Sequence, residues 1–292
     1  MIEGKSSRTA ERMALERAAH QVADSPVVFA DPLAIGMLRP EQAALLREHP
    51  DRFHGSPIAK RMRAIVVVRS RIAEDEIARA ADRGVTQYVV LGAGLDTFAY
   101  RNPHATVRVF EVDQPSTQRL KHERLAAAGI VVPDSLTWVP FDFTRQTLPD
   151  ALAAAGFDRT KPAVFAWLGV VMYLERLDVI ETLRYIATLP PETAVVFDYA
   201  LPPEATPWPI RWFYRRTLKG FARQGEPWTS FFTPAPLRAE LSQLGFTEVE
   251  DLAGDDVNRR YLGSRRDGLT ASGVGRIVIA RLVAESVNVQ PC

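Results

Sequence analysis

Acidic and glycine residues gather at the ends of three apolar runs, and together they have the chemistry of a nucleoside cradle. The first run, "YVVL", leads into Gly92-Ala93-Gly94-Leu95-Asp96-Thr97; the second closes on Glu111 and Asp113, and the third on Asp142. Glycines after a first strand let the backbone approach a ligand with no Cβ in the way. Carboxylates two positions apart share one face of an extended strand, and at a strand tip they suit ribose hydroxyls. Asp142 suits an adenine amino group.

The same residues narrow the ligand. A dinucleotide fingerprint, G-x-G-x-x-G, requires a third glycine where Thr97 stands, and Asp96 would repel a pyrophosphate at that turn. An adenosine whose remaining part is cationic fits three acidic strand tips. S-adenosylmethionine, with its sulfonium and zwitterionic amino acid, has that charge pattern. A nicotinamide-dependent oxidoreductase remains as the alternative, with the missing glycine and Asp96 against it.

The elements that must position these groups follow from periodicity. Helices are expected over 8–23, from Asp31 with Pro32 in its first position, over 40–48 and over 57–82, so the first eighty residues are helical. Apolar, β-branched runs at 86–92, 106–113, 136–143, 163–170 and 193–200 read as strands, with helices after the second and fourth and a short one after the glycine turn. Strands apolar throughout and alternating with helices indicate a doubly wound, mostly parallel sheet covered on both faces. A helix at 234–244 and strands at 246–253 and 275–283 should close the sheet with an antiparallel hairpin. The expected fold is therefore α/β and Rossmann-like. It forms one domain: a helical cover (1–84), a ligand-binding core (85–200 and 234–292) and an inserted cap (201–233). The cap is dense in Pro, Trp, Phe and Arg, and insertions at strand carboxyl ends are where α/β proteins place binding loops.

Composition excludes much else. The 292 residues carry a formal net charge of +1, which points to neither nucleic acid nor an anionic membrane. Cys292 is the only cysteine, and the five histidines (His20, His49, His54, His104, His122) show no ligand spacing, so no metal is expected. The N-terminus has no apolar signal-peptide core and no run reaches membrane-spanning length, so a cytoplasmic protein is expected.

Taken together, "YVVLGAGLDTFAYR", "FEVDQP", "FDF" and "WLGVVMYL" resemble the leucine carboxyl methyltransferase family, in its bacterial branch with polyketide carboxyl methyltransferases and mycobacterial members. The likeness extends to "SRTAERMALERAAH" and "DPLA" near the start and to "GRIVIARL" at the end. It implies a class I methyltransferase fold binding S-adenosylmethionine. Gly92, Ala93 and Gly94 would floor the methionine part, with Asp96 supporting the turn. Asp113, or Glu111 in its stead, would hold the ribose, and Asp142 with Phe143 the adenine. Arg69, with Arg71 as the alternative, would hold the cofactor's carboxylate. Relatives often read W-E-G-V where this chain has Trp167-Leu168-Gly169-Val170, and Leu168 cannot accept a hydrogen bond or balance an ammonium. Another group takes over that contact, or affinity is lower, or the protein is a binding protein that has lost activity.

The chemistry implied is O-methylation, most simply of a carboxylate on a small acidic molecule such as a polyketide acid. A carboxylate is already ionised near neutral pH, so alignment rather than a general base is required. Tyr173 and Tyr199, near the fourth and fifth strand tips, are the expected groups at the reaction centre. In the cap, Trp208, Trp212, Phe213, Tyr214, Trp228 and Phe231 are expected to wall the acceptor pocket. Arg211 or Arg215 would hold the acid, Trp212 and Arg215 being the favoured pair. The identity of the acceptor and the oligomeric state are not legible.

Overall fold

The computed structural model describes residues 8–142, 146–223, 225–263 and 265–284. Three helices come first: α1 (Arg8–Ala23), α2 (Pro40–Glu48) and α3 (Pro57–Ala81). Pro40 and Pro57 each occupy the first helical position, where the lost N–H costs nothing, and the Ser56 hydroxyl accepts from the Ala59 amide as the α3 cap. The helix expected from Asp31 is only a single turn, Ala34–Met37. Pro40 forces Arg39 into an extended conformation, which leaves no room for a longer helix. A buried bidentate pair, Arg63 to Asp24 at 2.7 and 3.1 Å, ties α3 to the end of α1.

The sheet is built from β1 (Gln87–Leu91), β2 (Arg108–Asp113), β3 (Leu136–Pro140), β4 (Val164–Trp167) and β5 (Ala194–Ala200). Interleaved with them are α4 (Pro115–Ala128), α5 (Leu148–Ala154) and α6 (Arg176–Ile186). After β5 come α7 (Trp208–Arg223), α8 (Pro234–Leu244), β6 (Glu248–Leu252) and β7 (Gly275–Arg281). The strand order is β3-β2-β1-β4-β5-β7-β6; the first five strands are parallel, and β7 runs antiparallel to both β5 and β6. The expected doubly wound sheet with a terminal antiparallel hairpin is the one observed. Among the described residues, three α-helical elements were not read from the sequence: α5, α7 inside the segment expected to be an irregular cap, and a single turn at Gly254–Val257 between the last two strands.

Side-chain alternation divides the core into two layers. Val89, Leu91, Phe110, Trp167, Phe197 and Tyr199 pack on one face with α6 and α8. Tyr88, Val90, Val109, Ala166 and Val196 pack on the other, against Ala64, Val67, Val68 and Ile72 of α3. Both faces are buried, so the central strands β1 and β4 are buried at every position and almost wholly apolar.

Candidate active site

Strand order reverses between β1 and β4, and the crevice opens at their carboxyl ends, where doubly wound sheets bind ligands. It encloses about 160 Å³, an order of magnitude beyond the ~10–15 Å³ that one water needs. The glycine turn (Gly92 to Asp96) forms its floor and Asp113 with Gln114 one rim. Leu168 to Val170 and Tyr173 form the other, while Thr9, Ala10, Met13 and Arg17 of α1 and Arg69, Ser70 and Glu74 of α3 close the side.

The turn is held open by backbone geometry and charge. Gly92 and Gly94 have φ of +67° and +52°, and a Cβ on Gly92 would collide with Val170. The Gly94 amide donates to Asp113 Oδ2 at 2.5 Å, so the β2 tip is pinned to the middle of the turn. Asp96 Oδ1 accepts from the Phe98 amide at 2.8 Å, and its Oδ2 faces Arg17 Nη1 at 3.3 Å. Arg17 also donates to the Leu95 carbonyl. Thr97, standing where a dinucleotide site has glycine, donates from its hydroxyl to Asp31 at 2.7 Å. Arg101 pairs with Glu74 at 2.7 Å and approaches Asp31 at 3.5 Å. The cationic neighbours, Arg17 first, keep Asp96 below the usual carboxylate range against the opposing cost of burial. Burial pushes Glu74 up to about 7 and raises Asp113, the latter opposed by its two backbone N–H donors.

Arg69 lies on the opposite wall. Its Nη1 donates to Asp198 Oδ2 at 2.8 Å, and its Nε is buried with no hydrogen-bond partner. Asp198 Oδ1 accepts the Gly169 amide at 2.5 Å. Gly169 has φ +74°, and a Cβ there would stand 2.7 Å from Arg69 Nη2. The crevice thus offers a carboxylate at one end and a guanidinium at the other.

The profile of the leucine carboxyl methyltransferase family matches residues 10–187, which spans α1, the glycine turn, both crevice rims and most of the parallel sheet. The chain belongs to this family. A Bacillus subtilis relative, named provisionally as an S-adenosyl-L-methionine-dependent methyltransferase (YktD), is 31% identical over 296 residues, covering 93% of this chain and 96% of its own length. A Mycobacterium tuberculosis relative with the same provisional name is 38% identical over 174 residues, 56% of this chain and 54% of its own. Two solved structures share the fold at low identity. One is a protein of Thermobifida fusca described provisionally as a methyltransferase (TM-score 0.53, 16% identity, 92% of this chain and 94% of the other). The other is a DUF574 family protein of Streptomyces avermitilis (TM-score 0.53, 17% identity, 96% and 99%).

In this leucine carboxyl methyltransferase family chain the expected site residues divide into those that border the crevice and those that do not. Gly92, Ala93, Gly94, Asp96, Asp113, Arg69, Leu168 and Tyr173 all line the crevice. Glu111 does not: two residues deeper along β2, it is fully buried and bonded to Lys121 Nζ at 2.7 Å, so of the two acids it is Asp113 that reaches the ligand space. Arg71 is turned outward to Asp75 at 2.7 Å, so of these two arginines it is Arg69 that borders the crevice. Trp167 is buried in the layer opposite α3, away from the crevice. Tyr199 also stands away from the crevice: it is buried in that opposite layer, and its hydroxyl donates to Asp251 at 2.8 Å. Phe141 lines the crevice beside Asp142, whose side chain is not part of the lining. Phe143 lies outside the described residues.

The cap pair is also placed elsewhere. Trp212 is 65% exposed on α7, and Arg215 pairs with Glu204 at the surface at 2.6 Å; neither borders the crevice. Helical periodicity turns these positions to solvent, while Tyr214 is buried and donates to the Leu201 carbonyl. Arg211 is spent on the carbonyls of Glu204 and Thr206. The cap touches the site through Trp228, which stacks on Phe221 and meets Tyr173 edge-on at 6.4 Å. Asp198, Gln114 and Arg17 were missed by sequence reasoning. Asp198 had a signal, an acid in an otherwise apolar strand. Arg17 had none that set it apart on a charged helix. Among the described residues there is no cluster of His, Cys, Asp or Glu able to hold a metal ion.

Proposed function

We propose that this chain is an S-adenosylmethionine-dependent O-methyltransferase acting on a carboxylate of a small acidic molecule. The observation that carries the reading is the pairing of Asp113 and Arg69 across one crevice floored by the glycine turn. The residues suit the cofactor on the crevice's own terms. Arg69 has a buried Nε without a partner, and Gly94 exposes backbone where an added Cβ would point at Ala10 of α1. Asp113 keeps lone pairs beyond those taken by the Gly94 and Gln114 amides.

When bound, the cofactor supplies an electrophilic methyl group on a sulfonium. Asp113 would accept from the ribose hydroxyls, and Arg69 would hold the amino-acid carboxylate by a charge-assisted bond. Tyr173 is on the rim, and burial raises its phenol above the ordinary value, so it stays protonated and serves as a hydrogen-bond donor to an acceptor oxygen. A carboxylate acceptor arrives ionised, so the protein has only to align it and exclude water. Calorimetry with S-adenosylmethionine, its demethylated product and NAD tests the reading. Micromolar-range binding of the first two without NAD is expected, and NAD binding alone overturns it. Methyl-ester formation on a panel of small acids then tests the acceptor class.

A further inference from the structure

Trp167 of β4 is in register with Phe197 of β5, so one step further along the two strands Leu168 stands beside Asp198. Both belong to the parity that faces α3: Ala166 and Val196, two residues earlier, pack in that layer, and Leu168 packs against it. Leu168 cannot carry charge at the crevice wall. The carboxylate of this part of the site stands one strand away, 96% buried, and both of its oxygens are engaged. One holds Arg69 and the other holds the amide of Gly169, the residue whose missing Cβ makes room for the Arg69 guanidinium.

We propose that Asp198 is a positioning residue for ligand binding: it fixes the Arg69 guanidinium and the Gly169 turn in one geometry, so that the arginine presents its remaining donors to a carboxylate-bearing ligand. Asp198 does not itself border the crevice, and its effect passes through Arg69. A long arginine side chain loses rotamer freedom when it is immobilised, and a buried partner that orders it beforehand removes that cost from binding. The specificity this creates is for the amino-acid end of the ligand and not for the nucleoside, which would be held at the Asp113 end. The inference rests on the cofactor reading above.

The test is calorimetry of Asp198→Asn with two ligands, S-adenosylhomocysteine and methylthioadenosine, which share the nucleoside and differ in the amino-acid carboxylate. Asp198→Asn should weaken the first about 10-fold and leave the second within about two-fold, as expected for loss of a charge-assisted contact. In an Arg69→Gln background, where the group it acts through is gone, Asp198→Asn should cost nothing further for S-adenosylhomocysteine. Equal loss of both ligands, no loss of either, or additive losses in the double variant each overturn the inference. A wild-type chain that binds neither ligand overturns instead the cofactor reading, so the two failures are distinguishable. Thermal unfolding without ligand confirms that the variants are folded before affinities are compared.

Discussion

The Gly94 amide donates to Asp113 Oδ2 at 2.5 Å, so one carboxylate fixes the ligand-binding turn and also borders the ligand space. Its other oxygen takes the Gln114 amide at 2.6 Å. Asp113→Asn keeps the side-chain size but removes the charge, and because the new NH2 group cannot accept, one of the two backbone N–H contacts is lost with it. Binding of S-adenosylhomocysteine should weaken by about 10-fold or more. Unchanged affinity by calorimetry would sink the assignment of Asp113 to the ribose.

Gly169→Ala should be worse than a methyl group suggests. The position has φ +74°, and the new Cβ would meet two Arg69 nitrogens within 3 Å. We expect a stability loss of about 1 kcal/mol or more from backbone strain, read by denaturant unfolding. Affinity for the carboxylate-bearing ligand should fall as well, because the arginine is displaced. Full affinity in this variant would show that the guanidinium has room to spare.

Trp212→Ala and Arg215→Ala should leave the unfolding midpoint within about 2 °C and cofactor affinity unchanged, since both side chains stand in solvent on α7. A tenfold rise in acceptor KM for either variant would put the acceptor on that helix after all.

Tyr173→Phe separates the two classes of acceptor. For a carboxylate, loss of one donor should lower kcat by no more than about 10-fold and leave the pH profile flat from 6 to 9. A hydroxyl acceptor must lose its proton, so its profile would rise with pH. A rising profile in the wild-type chain would reject the carboxylate assignment.

The Glu111–Lys121 pair predicts a pH dependence of stability. Burial pushes the Glu111 carboxyl up to about 7, against the opposing pull of Lys121. The folded state therefore binds this proton more tightly than the unfolded state does. Its stabilising contribution is complete below the unfolded value near 4.5 and is lost as pH rises through about 7. In a Glu111→Gln/Lys121→Met variant that titration is absent, so wild-type stability minus variant stability should decrease between pH 5 and 7. A difference that is constant or grows across that window contradicts the direction.

The sheet was legible because its strands are apolar on both faces, and the glycine turn because positive-φ glycines follow the first of them. What the sequence hid was the third dimension of charge. Glu111 and Asp113 look equivalent on paper, but only the contact with Lys121 of α4 shows that the deeper acid is already neutralised. Tyr199 lies near a strand tip in sequence, but its ring packs in the opposite layer and its hydroxyl is taken by Asp251 of β6, a contact that only the folded sheet creates. The aromatic segment after β5 read as a pocket wall because composition carries no facing. Its prolines masked a helix whose period sends Trp208 and Trp212 outward and Tyr214 inward.

The crevice takes one wall from α1, at Thr9, Ala10, Met13 and Arg17, and its floor from a turn some eighty residues later. An occupant would therefore act as a strut between the beginning and the middle of the polypeptide. Occupancy would be worth RT ln(1 + [L]/Kd) to the assembled form, and that gain would be shared by the N-terminal helix although the chemistry lies elsewhere. Saturated protein should accordingly resist nicking near α1 far longer than empty protein, which couples the durability of the leading segment to the supply of its small-molecule guest.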